Sequence, residues 1–291
     1  MHPLEALNEQ ELGQLTRIAD HLFNTRLLLA PGHRPNRMRA GFGVEFLDHR
    51  EFVPGDDLRD IDWRATARSR HPKIRRYWDE AAADWTICLD RSASMGSGDK
   101  WALAVQCAAA LAYLLIHLDH RVAILLFSDQ VDQRVPLGRG SNHYARVLQT
   151  LRKTMPLTSG GGSDLRACIS HIKRRSPVFV ISDFLVEDGM RPGLDRLRLL
   201  GDRIHALQVR ADNDFPDGGD EMTLMDVESG ETLAVTPTET DREHFKLTLD
   251  AFSASLENYC HRRHIQFSHA TPDIPWKSVL THHFHARGRT S

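Results

Sequence analysis

WTICLDRSASMGSGDKWALAVQCAAALAYLLIHLDHRVAILLF, residues 85–127, is the stretch on which the fold turns. It opens on a short apolar run, WTICLD (85–90), passes through a turn rich in serine and glycine, continues as an Ala- and Leu-rich segment over about 100–118, and closes on RVAILLF (121–127). Short runs of this kind, apolar at successive positions, read as strands buried on both faces, and the longer run between them reads as a helix. Strand, helix, strand in that order is a crossover between parallel strands. The segment Trp101–Leu118 reaches the length of a membrane span, but Gln106 and His117 interrupt it and strand-like runs flank it, so it is expected as a buried helix of a layered domain.

Downstream the rhythm continues, with helices expected near 143–153 and 164–174, the strand VFVIS (178–182), a helix near 192–200 and the strand RIHALQV (203–209). EMTLMDV and ETLAV, on either side of Glu228-Ser229-Gly230, read as a hairpin. Thr240 and Glu243 have capping-box spacing and open a long helix to about Arg263, after which IQFSHA (265–270) supplies a last strand. Residues 83–291 are therefore expected to form an α/β domain, a mostly parallel sheet with helices on both faces.

Upstream, Asn8 and Glu11 have the same capping spacing, and Leu12, Leu15, Ile18, Ala19 and Leu22 follow at helical intervals, which predicts a helix over 8–27 that APGHRPN ends. Residues 34–80 alternate Arg with Asp and Glu and hold few aliphatics; Leu58, Ile61 and Ala65 mark a short helix beginning after the Pro54-Gly55 turn. Residues 1–82 are expected as an appendage whose charged segment is too poor in apolar residues to build a core alone.

Composition bounds the function classes. The 291 residues carry 37 Lys and Arg against 39 Asp and Glu, a net charge of −2, so no global charge points to nucleic acid or an anionic membrane. The polar, acidic stretch 1–14 is not a secretory signal. Cys88, Cys107, Cys168 and Cys260 lie far apart, mostly in apolar runs, and read as reduced core thiols in a cytoplasmic setting. Of 17 histidines several crowd the C-terminal stretch; Cys260, His261 and His264 offer no fourth zinc ligand at a fixed spacing, and the group reads as an incidental, solvated cluster.

The chemistry concentrates in DRSAS, residues 90–94. If the strand continues extended, positions i, i+2 and i+4 face one way, so the Asp90 carboxylate and the Ser92 and Ser94 hydroxyls converge. Taken alone this is also common strand-to-helix composition. Ser163, after three glycines in TSGGGSDL, can point across the strand ends, and Asp183 ends the strand VFVIS. Ligand crevices of open parallel sheets lie beyond the carboxyl ends of the strands, where both acids fall. Two carboxylates and three hydroxyls form an all-oxygen set suited to Mg²⁺ or Mn²⁺ with some water retained.

This combination resembles the metal-ion-dependent adhesion site of von Willebrand factor A (vWA) domains over about residues 84–270. The resemblance implies that Ser92 and Ser94 are direct ligands, that Asp90 and Asp183 act largely through coordinating water, and that Ser163 stands where the family usually has Thr. Further upstream, Gly41, Gly43, Glu45, Phe46, Pro54, Gly55, Asp56, Asp57, Arg59, Ile61, Asp62 and Trp63 resemble the signature of the bacterial domain-of-unknown-function family 58, which precedes an A-type domain. In purely physical terms the same residues are a Pro-Gly turn, an Asp N-cap and acids able to pair with Arg64, Arg68 or Arg75 in an ion-pair clasp. Together the resemblances imply a non-catalytic, metal-dependent protein-interaction module, with a partner Asp or Glu carboxylate completing the metal shell. They further imply a MoxR-type AAA+ ATPase as partner, chaperone-like assembly or maturation of a complex, and the soluble branch of a family in which many relatives carry membrane spans.

Rival chemistries are less well served. GSGDK lacks the Ser or Thr that follows the lysine of a phosphate loop, Gly96-x-Gly98 lacks the third glycine of a dinucleotide fingerprint, and no G-x-S-x-G elbow occurs. A phosphatase nucleophile at Asp90 would want an acid where Ser92 stands. A metal-assisted phosphoester hydrolase using the same crevice, and a metal-free scaffold, are the alternatives.

Overall fold

The computed structural model describes residues 3–7, 11–14, 16, 46–52, 61–69, 71–77, 83–160, 162–200, 203–211, 222–225 and 232–285. The chain divides into two compact units, one of Thr25–Ala82 and one joining Met1–Asn24 to Ala83–Ser291. The division differs from the expected 1–82 appendage in that the first 24 residues go with the sheet. There Leu4 and Leu12 are buried, and the Gln106 side chain donates to the Pro3 carbonyl at 3.0 Å. Residues 11–14 and 16 are helical, and the remainder of the expected 8–27 helix lies outside the described residues.

In the Thr25–Ala82 unit, β1 (Phe46–Glu51) leads through α1 (Trp63–Arg68) to β2 (Lys73–Tyr77), which pairs antiparallel with β1. The helix starts later than Leu58, Ile61 and Ala65 suggest. Asp62 is its N-cap, with Oδ1 accepting from the backbone N–H of Arg64 at 2.9 Å and of Ala65 at 3.0 Å, while Ile61 is extended and buried. The other carboxylate oxygen lies 2.9 Å from His49 Nε2, which ties the cap to β1. Of the signature residues, 41–45 and 53–60 lie outside the described residues.

The larger unit is built on a six-stranded sheet. Its elements in chain order are β3 (Asp84–Asp90), α2 (Lys100–His117), β4 (Arg121–Phe127), β5 (Val131–Gly138), α3 (Ser141–Lys153), β6 (Val178–Ser182), α4 (Glu187–Leu200), β7 (Ile204–Val209), the hairpin β8 (Met222–Met225) and β9 (Thr232–Val235), α5 (Glu239–Arg262), β10 (Gln266–Ala270) and α6 (Trp276–His285). Strand order is β10-β7-β6-β3-β4-β5, parallel throughout except for the antiparallel edge strand β5. β3, β6 and β7 are buried along their whole length, which is why they read as continuous apolar runs and not as alternating ones.

Alternate residues serve opposite faces. Cys88, Leu125, Phe127, Val178, Val180, Ile204 and Ala206 pack with Leu165 and Cys168, with Met190, Leu194 and Leu197 of α4, and with Leu256 and Cys260 of α5. Phe179 and His205, one residue out of step, meet His283 and Phe284 of α6. Helix α2, long and apolar enough to cross a membrane, has 72% of its length buried in this unit. All four cysteines are free and buried.

Three boundaries depart from expectation. The helix expected near 164–174 is a 3₁₀ helix, Leu165–His171, capped by the Asp164 carboxylate, with turns that close three residues back. α4 begins at Glu187 and accommodates Pro192 in its second turn instead of starting there. α5 opens two residues early: Thr238 accepts from Asp241 N–H at 3.2 Å and Asp241 Oδ2 accepts from Thr238 N–H at 2.9 Å, so the capping box is Thr238/Asp241, not Thr240/Glu243. Thr238→Ala should destabilise the unit by about 1 kcal/mol in urea unfolding, whereas Thr240→Ala should be near neutral.

The C-terminal histidines fall into two environments. His261 and His264 are exposed, but His283 is fully buried on α6, an element the sequence pattern did not disclose. Its Nε2 lies 3.1 Å from His205 Nδ1 and its Nδ1 2.6 Å from Ser268 Oγ. His283 thus joins β7, β10 and α6 through buried hydrogen bonds.

Candidate metal centre

The site is assembled where β3 and β6 end side by side. Leu89 pairs with Ile181 in parallel register, so Asp90 falls beside Ser182 and Asp183 lies one residue further on. Asp90 is the hub. Its Oδ1 accepts from the Ser92 backbone N–H at 2.9 Å, and its Oδ2 accepts from Ser163 Oγ and Ser182 Oγ, each at 2.6 Å. Ser92 Oγ and Ser94 Oγ lie 3.2 Å apart. Convergence does not come from the strand pleat, because the chain leaves the sheet at Asp90 and turns through a 3₁₀ segment, Ala93–Gly96; the turn, held by the Asp90–Ser92 bond, brings the hydroxyls together.

Ser163 reaches the hub from the opposite loop. The neighbouring Asp164 N–H donates to the Ser128 carbonyl at 2.8 Å, fixing the loop over the end of β4. On the far side Asp183 Oδ1 accepts from Leu185 N–H at 3.3 Å, and its backbone carbonyl accepts from Gln208 Nε2 at 3.1 Å. Between them Phe184 is left-handed, with φ 60°, a costly conformation for a bulky residue. It is held by its ring in the core and by its N–H, which donates to Ser182 Oγ at 2.9 Å.

Two members of this cluster escaped the sequence reading. In sequence Ser182 is only the end of a strand; its hydroxyl comes beside Asp90 once the strands are in register. Lys100 stands out in sequence only as the lysine of an incomplete phosphate loop. It begins α2 after two left-handed residues, Gly98 and Asp99, each with φ 57°, and its Nζ lies 3.1 Å from Asp183 Oδ2, with side-chain exposures of 2% and 4%. Lysine at the start of a helix, where the backbone dipole favours acids, is the one signal that could have marked it.

All five sequence-predicted residues thus lie on this edge: Asp90, Ser92 and Ser163 in one hydrogen-bonded group, Ser94 against Ser92, and Asp183 joined to Lys100. Ser94 is half-buried and the others are buried. Burial pushes the Asp90 carboxyl up to about 6, with the Asp183 charge adding to the rise, while the bonds from Ser163, Ser182 and the Ser92 N–H oppose it. A carboxylate so placed is short of positive charge. Among the described residues no group of three or more His, Cys, Asp or Glu could hold a metal ion, so a cation here would depend on hydroxyls beside the two acids. That donor set fits a hard, oxygen-seeking ion.

A mixed α/β fold with a mostly parallel sheet, and an acid-hydroxyl cluster on its carboxyl edge, define the class of the molecule. The chain belongs to the family described as protein of unknown function DUF58, whose model matches residues 48–252. Uncharacterized proteins of Mycobacterium bovis and Mycobacterium tuberculosis are 31% identical over 243 residues, 79% of this chain and 70% of theirs. Among solved structures, the conserved hypothetical protein BatB from Bacteroides thetaiotaomicron is similar at 14% identity and a TM-score of 0.44, over 72% of this chain and 100% of that one. The pilus adhesin SpaC from Lactobacillus rhamnosus GG is similar at 10% identity and a TM-score of 0.41, over 70% and 29%.

Proposed function

We propose that the sheet unit is a vWA-type domain acting as a non-catalytic, metal-dependent protein-interaction module. The carrying observation is the cluster itself: Asp90 is buried, its carboxylate accepts from the hydroxyls of Ser163 and Ser182 and from the Ser92 backbone N–H, and Asp183 lies on the same strand edge, with no His or Cys donor in the set. Ser92, Ser94 and Ser163 would offer hydroxyl oxygens to Mg²⁺ or Mn²⁺, and Asp90 and Asp183 would hold its water. A bound ion would supply an open coordination position for an Asp or Glu carboxylate of a partner. The resemblance in sequence supports a MoxR-type AAA+ ATPase as that partner, and a role in assembling or maturing another complex.

Calorimetry tests the metal half of this reading. Wild type is expected to bind Mg²⁺ or Mn²⁺, and Ser92→Ala to bind about tenfold more weakly, the loss of roughly one oxygen contact. A wild type that binds neither ion overturns it. For the partner half, capture of the ATPase from the same cell should disappear with chelator; capture indifferent to chelator separates partner binding from the site.

A further inference from the structure

We infer that Lys100 is a built-in counter-cation that couples metal binding to the arrival of a carboxylate, an inference that rests on the metal reading above. Charge decides the point. Two buried acids, Asp90 and Asp183, face one buried ammonium, which touches Asp183 at 3.1 Å. Arg91, next to Asp90 in the chain, is turned elsewhere: its Nε donates to the Met155 carbonyl at 3.2 Å and its Nη1 lies 3.5 Å from Asp132. With both acids ionised the cluster holds one net negative charge, and a divalent ion added to it leaves one net positive charge.

That surplus has two consequences in a buried site, where charges are weakly screened. The ammonium repels the incoming ion and competes for Asp183, so it weakens metal binding on its own. It also makes the loaded site attract one anion, because a single partner carboxylate brings the cluster to neutrality. Without Lys100 the loaded site is already neutral, and a carboxylate would overcharge it. Lys100 thereby makes the metal and the partner's acid favour each other, a coupling that must be reciprocal.

The test titrates Mn²⁺ by calorimetry into the wild type and Lys100→Met, with and without acetate as the carboxylate probe. The variant is expected to bind Mn²⁺ about tenfold more tightly without acetate, and acetate should strengthen Mn²⁺ binding in the wild type but not in the variant. Lys100→Met leaves Asp183 buried without its counter-ion and can fail to fold, so Asp183→Asn and the double variant Asp183→Asn/Lys100→Met repeat the comparison with a neutral amide. The double variant should again bind more tightly. If the wild type binds Mn²⁺ and removal of Lys100 neither tightens binding nor abolishes the acetate effect, the inference falls and the metal reading stands. If only the variants without Lys100 bind, Lys100 excludes metal as inferred and the proposed function of the wild type falls. If no protein binds, both fall.

Discussion

Asp90→Asn is expected to be more stable than the wild type in chelator at about pH 7, by roughly 2–3 kcal/mol in urea unfolding, and to gain nothing from Mg²⁺ or Mn²⁺. The expectation follows from the raised carboxyl. Its pKa rises from 3.8 in the unfolded chain to about 6 in the folded one, first through burial and then through Asp183. The folded state therefore binds the extra proton between those values, and wild-type stability falls as pH rises through that window. Above it, the ionised form carries the full cost. Asn removes the charge while keeping the size, and its side chain can still bond the hydroxyls around it. An Asp90→Asn protein no more stable than the wild type in chelator would show that the cluster already compensates its own charge. A residue that destabilises its fold at the working pH is the signature expected of a group held for a ligand.

Acid should act on the other face of the sheet in the opposite sense, and more strongly. His283 is pulled down from 6.5 to about 3, chiefly by burial, with His282 adding positive charge nearby. The unfolded chain binds that proton first as pH falls. Stability contributed by the neutral ring is therefore complete above 6.5 and is lost progressively toward pH 3, by roughly 4–5 kcal/mol over the whole window. His120, pulled down to about 4 by burial and by Arg203, adds a loss of the same sign. Between about 4 and 6 the Asp90 proton opposes them. With two histidines against one carboxyl the wild type still loses stability there, but less steeply than the histidines alone would make it, and the variants separate the contributions. Between about pH 7 and about pH 4.5, Asp90→Asn should lose about 2 kcal/mol more than the wild type, and His283→Asn about 2–3 kcal/mol less. Profiles parallel to the wild type would show that these two groups do not titrate as their burial requires.

The metal chemistry and the stability chemistry thus occupy opposite sides of one sheet. Asp90 and Asp183 sit at the carboxyl edge, where β3 and β6 end side by side and the chain leaves the sheet. His205 and His283 sit under α6 and are wrapped by Phe179, Phe284 and Trp85. Their burial raises one group's affinity for protons and lowers the other's, because the low dielectric penalises whichever form is charged.

How far the sequence could be read depended on the range of the forces involved. β3, β4, β6 and β7 were legible because strands buried on both faces are apolar at most positions, and α2 because a buried helix is apolar nearly all round. Asp90, Ser92, Ser94, Ser163 and Asp183 were legible as a set because polar residues at the ends of such strands stand out against them. Helix starts were less so, since capping depends on which of several nearby hydroxyls the turn selects: Thr238 stood two residues from Thr240, and Asp62 followed Ile61. α6 was hidden because His283 looks polar in sequence and becomes core only when β7 and β10 pack against it.

By itself the sequence determined the α/β layering and the residues of the carboxyl edge, because both follow from local pattern and strand polarity. Only the tertiary structure decided that Asp90 is the hub, that Ser182 joins it, and that Lys100 lies against Asp183. Those pairings join residues 92 and 83 positions apart in the chain. No local rule spans such distances; they exist because parallel strands in register bring separate chain segments to one buried point, where each charge must find its partner.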